Sequence, residues 1–280
     1  MNKIDRRTFI ATLAGAAVSP LVAQASANVE PKADFELKAD MAARFSEAGT
    51  EGVFAVLRVR DNKLLSTDQG RMRQPFIPAS TFKVPHALIA LETGVVADAD
   101  QEIIRWDGQV RSIDAWNKDH TLRTAMAVSA VPVYQQIARR IGTERMQKYL
   151  DAFQYGNREI GPVIDRFWLD GPLRTSALEQ ISFFDKLRRG DLPVSKRSLD
   201  VVRDIIPAEA ISGGVIRAKS GALGIDGTPG EKATLGWLAG YVDRGEDSSI
   251  FAMNIDIRSP ADLARRMAIS KSILGEIGAI

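Results

Sequence analysis

A serine and a lysine three residues apart, in Pro78-Ala79-Ser80-Thr81-Phe82-Lys83, head a stretch that continues as Val84-Pro85-His86-Ala87-Leu88-Ile89-Ala90-Leu91-Glu92. On a helix that spacing puts a hydroxyl and an amine on one face, one turn apart. A serine hydroxyl is a weak nucleophile that needs a base within reach, and a lysine kept neutral by burial can serve. The first turn of a helix also leaves backbone N–H groups unpaired, which can stabilise charge developing on a bound carbonyl oxygen. The plainer reading makes Ser80 an N-cap and Lys83 a solvated residue, and one such pair arises by chance in a chain of this size. Three other places join polar groups to structure breaks or apolar walls. Ser129-Ala130-Val131 stands at a corner before Pro132, Lys219-Ser220-Gly221 ends a β-rich run, and Trp168 lies within Phe167-Trp168-Leu169. Taken singly, Ser129 reads as a helix cap, Lys219 as an edge-strand solubiliser and Trp168 as core.

Other chemistries find few residues to work with. The chain has no cysteine, hence no disulfide and no thiol nucleophile. Its two histidines, His86 and His120, are too few for an ordinary zinc hydrolase site. A Ser-His-Asp triad would have to use one of them, and both read as structural or solvated. Met1 to Arg7 forms a basic head, Phe9 to Leu21 an apolar run too short for an ordinary membrane helix, and Ala25-Ser26-Ala27 a small-residue cleavage pattern. Arg6-Arg7-Thr8-Phe9-Ile10 resembles a twin-arginine export signal, with an ordinary Sec signal as the alternative. Residues 1–27 are therefore expected to be a signal peptide and the mature protein to be periplasmic. Losing Lys3, Asp5, Arg6 and Arg7 leaves 34 basic and 34 acidic residues, so no nucleic acid or anionic membrane partner is expected once the signal is gone.

The elements that must hold these residues follow from periodicity and caps. At 280 residues and 45% hydrophobic, the chain can build an ample core. Residues 35–47 read as an amphipathic helix. Val53 to Val59 and Leu64 to Thr67 read as a hairpin across Asp61-Asn62. The helix carrying Ser80 and Lys83 ends at Gly94. Helices follow over 122–128 behind Thr121, over 133–141, over 144–153 behind Thr143, over 177–189 behind the capping box Ser176/Glu179, and over 198–206. Strands are then expected over 214–220, 235–242 and 250–257, the last two antiparallel across Arg244-Gly245-Glu246-Asp247, with a closing helix over 261–277. Strands at both ends with helices between them imply an α+β fold in two parts.

In this order, Ser80-x-x-Lys83, Ser129-x-Val131, Tyr155-Gly156-Asn157, Phe167-Trp168-Leu169 and Lys219-Ser220-Gly221 followed by Gly236-Trp237 resemble the class D (oxacillinase-type) serine β-lactamases. The resemblance covers essentially the whole mature chain, including Val131-Pro132-Val133-Tyr134-Gln135-Gln136-Ile137-Ala138-Arg139-Arg140. It departs at Gly236-Trp237-Leu238, with one tryptophan where many relatives have two, and in Lys-Ser-Gly for Lys-Thr-Gly. It implies the serine β-lactamase/penicillin-binding-protein-like fold: an antiparallel sheet from about 28–79 and 207–280 plus an inserted all-helical subdomain, about 80–206. It implies that Ser80 attacks the lactam carbonyl, with its N–H and that of Ala222 as the oxyanion hole. Lys83 would be carbamylated by carbon dioxide and act as general base, within a pocket of Phe82, Val131, Trp168 and Leu169. The Trp168 indole would donate to the carbamate, and Ser129 and Lys219 would pass the proton to the lactam nitrogen. Ser220 and Gly221 would bind substrate with Arg266, which holds its carboxylate with Arg265 as fallback, and Trp116 would line the mouth. No metal and no organic cofactor are implied, only a small-molecule β-lactam partner, with a monomer or homodimer as the expected state. A β-lactam sensor module and a D,D-peptidase share the fold and are the alternatives.

Overall fold

The computed structural model describes residues 33–228, 230 and 232–280; the signal-peptide expectation for residues 1–27 lies outside them. Among the described residues seven strands form one mixed sheet: β1 (Asp34–Leu37), β2 (Gly52–Arg58), β3 (Lys63–Ser66), β4 (Ala208–Ile211), β5 (Gly214–Leu223), β6 (Leu235–Asp243) and β7 (Ser249–Asp256). Their spatial order is β1-β3-β2-β7-β6-β5-β4, so both ends of the chain build a single sheet. Every pairing is antiparallel except β1 with β3, which makes the sheet mixed where an antiparallel one is expected.

The period-2 pattern of the strands assigns their faces. Val53, Ala55 and Leu57 of β2 join Trp237, Ala239 and Tyr241 of β6 and Ile250 and Ala252 of β7 in the core beneath the helices. Phe54, Val56, Leu238, Phe251, Met253 and Ile255 point the other way, against Ile269, Ile273 and Leu274 of the C-terminal helix α9 (Ala261–Glu276). In β5, Ile216 and Ala218 face the α9 side, which turns Lys219 toward the helices.

Between the two halves of the sheet run α2 (Gln69–Arg73), α3 (Lys83–Glu92), α4 (Leu122–Ala127), α5 (Val131–Ile141), α6 (Thr143–Phe153), α7 (Ala177–Arg189) and α8 (Lys196–Ile205); α1 (Ala43–Glu47) precedes β2. Local signals set many of their ends. Thr121 caps α4 and forms a capping box with Thr124, and Ser176 and Glu179 form the box that opens α7. Gly190 closes α7 in the left-handed region, where a glycine carries no Cβ penalty.

Three further expectations are corrected. Residues 35–47 are not one helix but β1, a 3-10 turn over Ala39–Ala42 and the short α1. The exposed edge of β3 offers β1 a ladder, and Phe35 and Leu37 stay 37% and 50% exposed instead of forming a buried stripe. Gly142, not Thr143, precedes α6, and no side chain caps it. Helix α8 starts two residues before Ser198, because Ser195 is the N-cap and its side chain accepts from Ser198 N. The short edge strand β4 is unforeseen, since its four residues are too few to show a period.

Candidate active site

Ser80 sits in a single 3-10 turn, Ala79–Phe82, that feeds directly into α3. The turn is entered through Ala79 at φ 48, a left-handed conformation that costs a non-glycine residue and must be held by its surroundings. Ser80 is 9% exposed and Lys83 fully buried, and Lys83 Nζ donates to Ser80 Oγ at 2.7 Å. Burial, with the charge of Lys219 adding to it, holds the Lys83 amine well below its ordinary range. The plain reading of Lys83 as a solvated residue therefore fails.

The expected pocket residues Phe82, Val131, Trp168 and Leu169 are all buried in the core on the helical side. Phe82 stacks on Trp168 with ring centroids 5.8 Å apart. Trp168 Nε1 is buried and has no hydrogen-bond partner. A donor left unpaired in an apolar enclosure costs roughly 1–3 kcal/mol unless something arrives to accept from it. Sequence reasoning missed Tyr134, whose ring lies 5.3 Å from Lys83 Nζ. The aromatic residue one turn into α5 is its only local signal.

Ser129 and Lys219 meet across 90 residues of chain. Ser129 links α4 to α5 in the left-handed region, at φ 57, and its Oγ accepts from Lys219 Nζ at 3.0 Å. Lys219 Nζ also donates to the Ser220 carbonyl at 2.9 Å. The side chain is 2% exposed, and burial, with the Arg266 charge second, pushes it down to about 7. It is not an edge-strand solubiliser. Gly221 brings β5 against the serine turn: a Cβ there would lie 3.1 Å from Pro78 O and 3.2 Å from Ser80 N. Only a residue without a side chain lets the two backbones approach so closely, and Ser80 and Ala222 both line the cleft beside this contact.

Ser80, Ser129, Ser220, Gly221, Ala222, Trp116 and Arg266 all line one open cleft of about 510 Å³. Trp116 is wedged into its wall, donating from Nε1 to the Val128 carbonyl at 3.0 Å. Arg266 donates from Nε to the Leu263 carbonyl at 2.7 Å and from Nη1 to the carbonyls of Gly221 and, at 3.3 Å, Trp237. Burial pushes it down to about 10. Arg265 turns away and donates to the Ala48 carbonyl at 2.8 Å and to Asp262 at 2.5 Å. Leu263 and Ile113, which also line the cleft, carry no signal that a sequence reading could have used. Among the described residues Arg266 lines the cleft and pairs with no carboxylate, so the cleft suits an anionic ligand.

The histidines divide. His120 is structural, its ring nitrogens meeting Thr124 Oγ1 at 3.1 Å and the Ala115 carbonyl at 2.9 Å. His86 is buried, not solvated, and neither of its ring nitrogens has a partner. No group of three or more His, Asp or Glu that could hold a metal occurs among the described residues.

The family described as the penicillin binding protein transpeptidase domain matches residues 39–277. Among curated proteins, β-lactamase OXA-48 of Klebsiella pneumoniae is 44% identical over 232 residues, covering 83% of this chain and 85% of that protein. β-Lactamase OXA-5 of Pseudomonas aeruginosa is 42% identical over 238 residues, covering 84% and 87%. Among solved structures, the class D β-lactamase FUS-1 (OXA-85) from Fusobacterium nucleatum subsp. polymorphum superimposes with a TM-score of 0.81 at 34% identity, covering 88% of this chain and 100% of that one. The class D β-lactamase YbXI from Nostoc does so with a TM-score of 0.80 at 38% identity, covering 86% and 99%.

Proposed function

The chain belongs to the class D serine β-lactamases, hydrolases of cyclic amides, and we propose that it opens the ring of penicillin-type antibiotics through an acyl-enzyme on Ser80, with Lys83 carboxylated on Nζ. The observation that carries this reading is the contact at 2.7 Å of a wholly buried Lys83 Nζ with Ser80 Oγ, which lines the cleft. An amine held neutral there keeps the lone pair that adds to the carbon of dissolved carbon dioxide, with loss of an N–H proton. The residues present fit the resulting carboxylate, since Trp168 Nε1 is a buried donor in need of an acceptor. When bound, that group supplies a general base beside Ser80 Oγ.

The remaining steps use the chain's own groups. Ser80 Oγ bonds to the lactam carbonyl carbon, and the N–H groups of Ser80 and Ala222 receive the charge that develops on the carbonyl oxygen. The ring C–N bond then breaks. The lactam nitrogen takes a proton from Ser129 Oγ, which is replenished from Lys219 Nζ, 3.0 Å away and poised near neutrality. Arg266 and the Ser220 hydroxyl hold the substrate carboxylate, Gly221 lets β5 lie along the substrate, and Trp116 bounds the mouth. Water cleaves the ester, releasing the ring-opened acid and free Ser80. Acting outside the cytoplasm, with residues 1–27 as export signal and 28–280 as the catalytic domain, this hydrolysis would confer antibiotic resistance.

Intact-protein mass spectrometry with a slowly processed β-lactam tests the reading. One adduct is expected, on the peptide that contains Ser80, and Ser80→Ala should abolish it; an adduct that survives this change sinks the assignment. With a chromogenic cephalosporin the wild type should turn over continuously. A burst that then stalls would favour the sensor or the D,D-peptidase.

A further inference from the structure

Behind the nucleophile lies a polar group that the reaction described so far leaves idle. His86 stands one turn beyond Lys83 on the same face of α3, with no exposed surface and with both Nδ1 and Nε2 unpartnered. Its ring is enclosed by Trp168, Tyr134 and Phe82, with centroids 5.1, 5.2 and 5.6 Å away. Lys83 Nζ lies against the same Tyr134 ring, at 5.3 Å. The Tyr134 hydroxyl is directed to Met126 Sδ, 3.8 Å away, and so is turned from the imidazole. Burial, with the Lys83 charge second, pushes the His86 imidazole down to about 3. The neutral ring carries one N–H donor and one acceptor nitrogen.

A phenylalanine would fill this aromatic cage without leaving polar atoms unpaired. Instead, two adjacent side chains around Lys83, His86 and Trp168, both present buried nitrogens without partners. Both deficits are met together if the lysine carries a planar anion with two acceptor oxygens. We infer that His86 is a positioning residue for the Lys83 carboxylate: its ring N–H, directly or through one water, holds one carboxylate oxygen while Trp168 Nε1 holds the other. The lysine alone cannot play this part, since an amine at Nζ that donates to Ser80 Oγ offers the two donors no more than one lone pair. A doubly held carboxylate loses carbon dioxide less readily and keeps its plane aligned with Ser80 Oγ.

The inference rests on the reading of Lys83 as carboxylated, and the experiment separates the two. The full mature protein is titrated with ¹³C-bicarbonate while the carbamate signal is followed by ¹³C NMR, in parallel with the melting temperature. The variants are His86→Phe, which keeps the ring packing, and His86→Asn and His86→Gln, whose amide nitrogens approximate Nδ1 and Nε2. Wild type should give a saturable carbamate signal. His86→Phe should need about tenfold or more bicarbonate for the same occupancy, the scale of losing one hydrogen bond to a charged group, while melting no lower than wild type. One of the two amides should recover most of the affinity and so identify the nitrogen that donates. Equal affinity in His86→Phe and wild type overturns the inference while leaving the carboxylate in place. Equal weakening in all three variants also overturns it, since an N–H donor returned at either position would then recover nothing. No carbamate signal in the wild type removes the Lys83 reading itself, and the role of His86 with it.

Discussion

Lys83 and Lys219 are both buried, and among the described residues neither pairs with an Asp or Glu carboxylate, so burial holds both amines below the ordinary lysine range. A lysine whose folded pKa is depressed destabilises the protein wherever the unfolded chain binds the proton more tightly. For Lys219 that penalty is absent above about pH 10.5, grows as pH falls, and is complete near pH 7. Lys219→Met should therefore raise the melting temperature at pH 7, by about 2–4 °C for each kcal/mol relieved, and the gain should shrink steadily toward pH 10.5. Its turnover should fall by about 10²–10⁴, the scale of a lost proton-transfer group. A pH-independent gain, or none, would mean that Lys219 is not desolvated. The neighbouring arginines make a paired test. Arg266→Ala should lower kcat/KM for a carboxylate-bearing penicillin by about 10–100-fold, mainly through KM. Arg265→Ala should change it less than about twofold, because that side chain is spent on Ala48 and Asp262. Equal losses in steady-state kinetics would contradict the division of labour.

At the scale of elements, the site is a seam where β5 lies against the turn that starts α3. Gly221 makes the seam close: a Cβ would meet Pro78 O at 3.1 Å, Ser80 N at 3.2 Å and Thr81 N at 3.3 Å, all backbone atoms that cannot swing aside. Gly221→Ala should push strand and turn apart by a few tenths of an ångström. Kinetics should then show kcat down by roughly tenfold or more, because misplacement of this order disturbs both the nucleophile and the backbone donors. The melting temperature should drop only a few degrees, since the Ser80–Lys83 contact lies within α3 and its turn. A wild-type kcat in that variant would show that the seam has slack. Two left-handed non-glycine residues stand at this site: Ala79 immediately precedes Ser80, and Ser129 lines the cleft.

The whole molecule closes one sheet from its two ends, with the helices threaded between them. Such a sheet needs β2 to pair with β7 across some two hundred residues, so much of the chain must be present before the core can form. The absence of cysteine means that this folding needs no oxidising compartment and could be finished in the cytoplasm. That suits export of a folded chain, as the Arg6-Arg7 pair suggests. Arg6→Lys with Arg7→Lys should leave the precursor in the cytoplasm, as read by fractionation and immunoblotting. Arrival in the periplasm at the wild-type rate would assign an ordinary Sec signal instead.

What the sequence by itself determined was local. Ser80 and Lys83 had to meet because three residues of helical backbone place them on one face, whatever the rest of the chain does. The Ser176/Glu179 box and Gly190 likewise delimit α7 through bonds that span a few residues. Residues 35–47 show where such signals mislead: a short amphipathic pattern fits a helix or an edge strand, and only a free edge on β3 decided for β1. Tertiary structure also decided the choice of Arg266 over Arg265. Both stand on α9, one residue and about 100° apart, and only the seating of that helix on the sheet turns one guanidinium into the cleft and the other toward Ala48. The contact of Ser129 with Lys219 depends on a left-handed corner and on the direction in which β5 turns its side chains, and neither is written in any short window of residues. The unpaired nitrogens of Trp168 and His86 belong to the same level, because whether a buried donor has a partner depends on what packing from distant parts of the chain places around it.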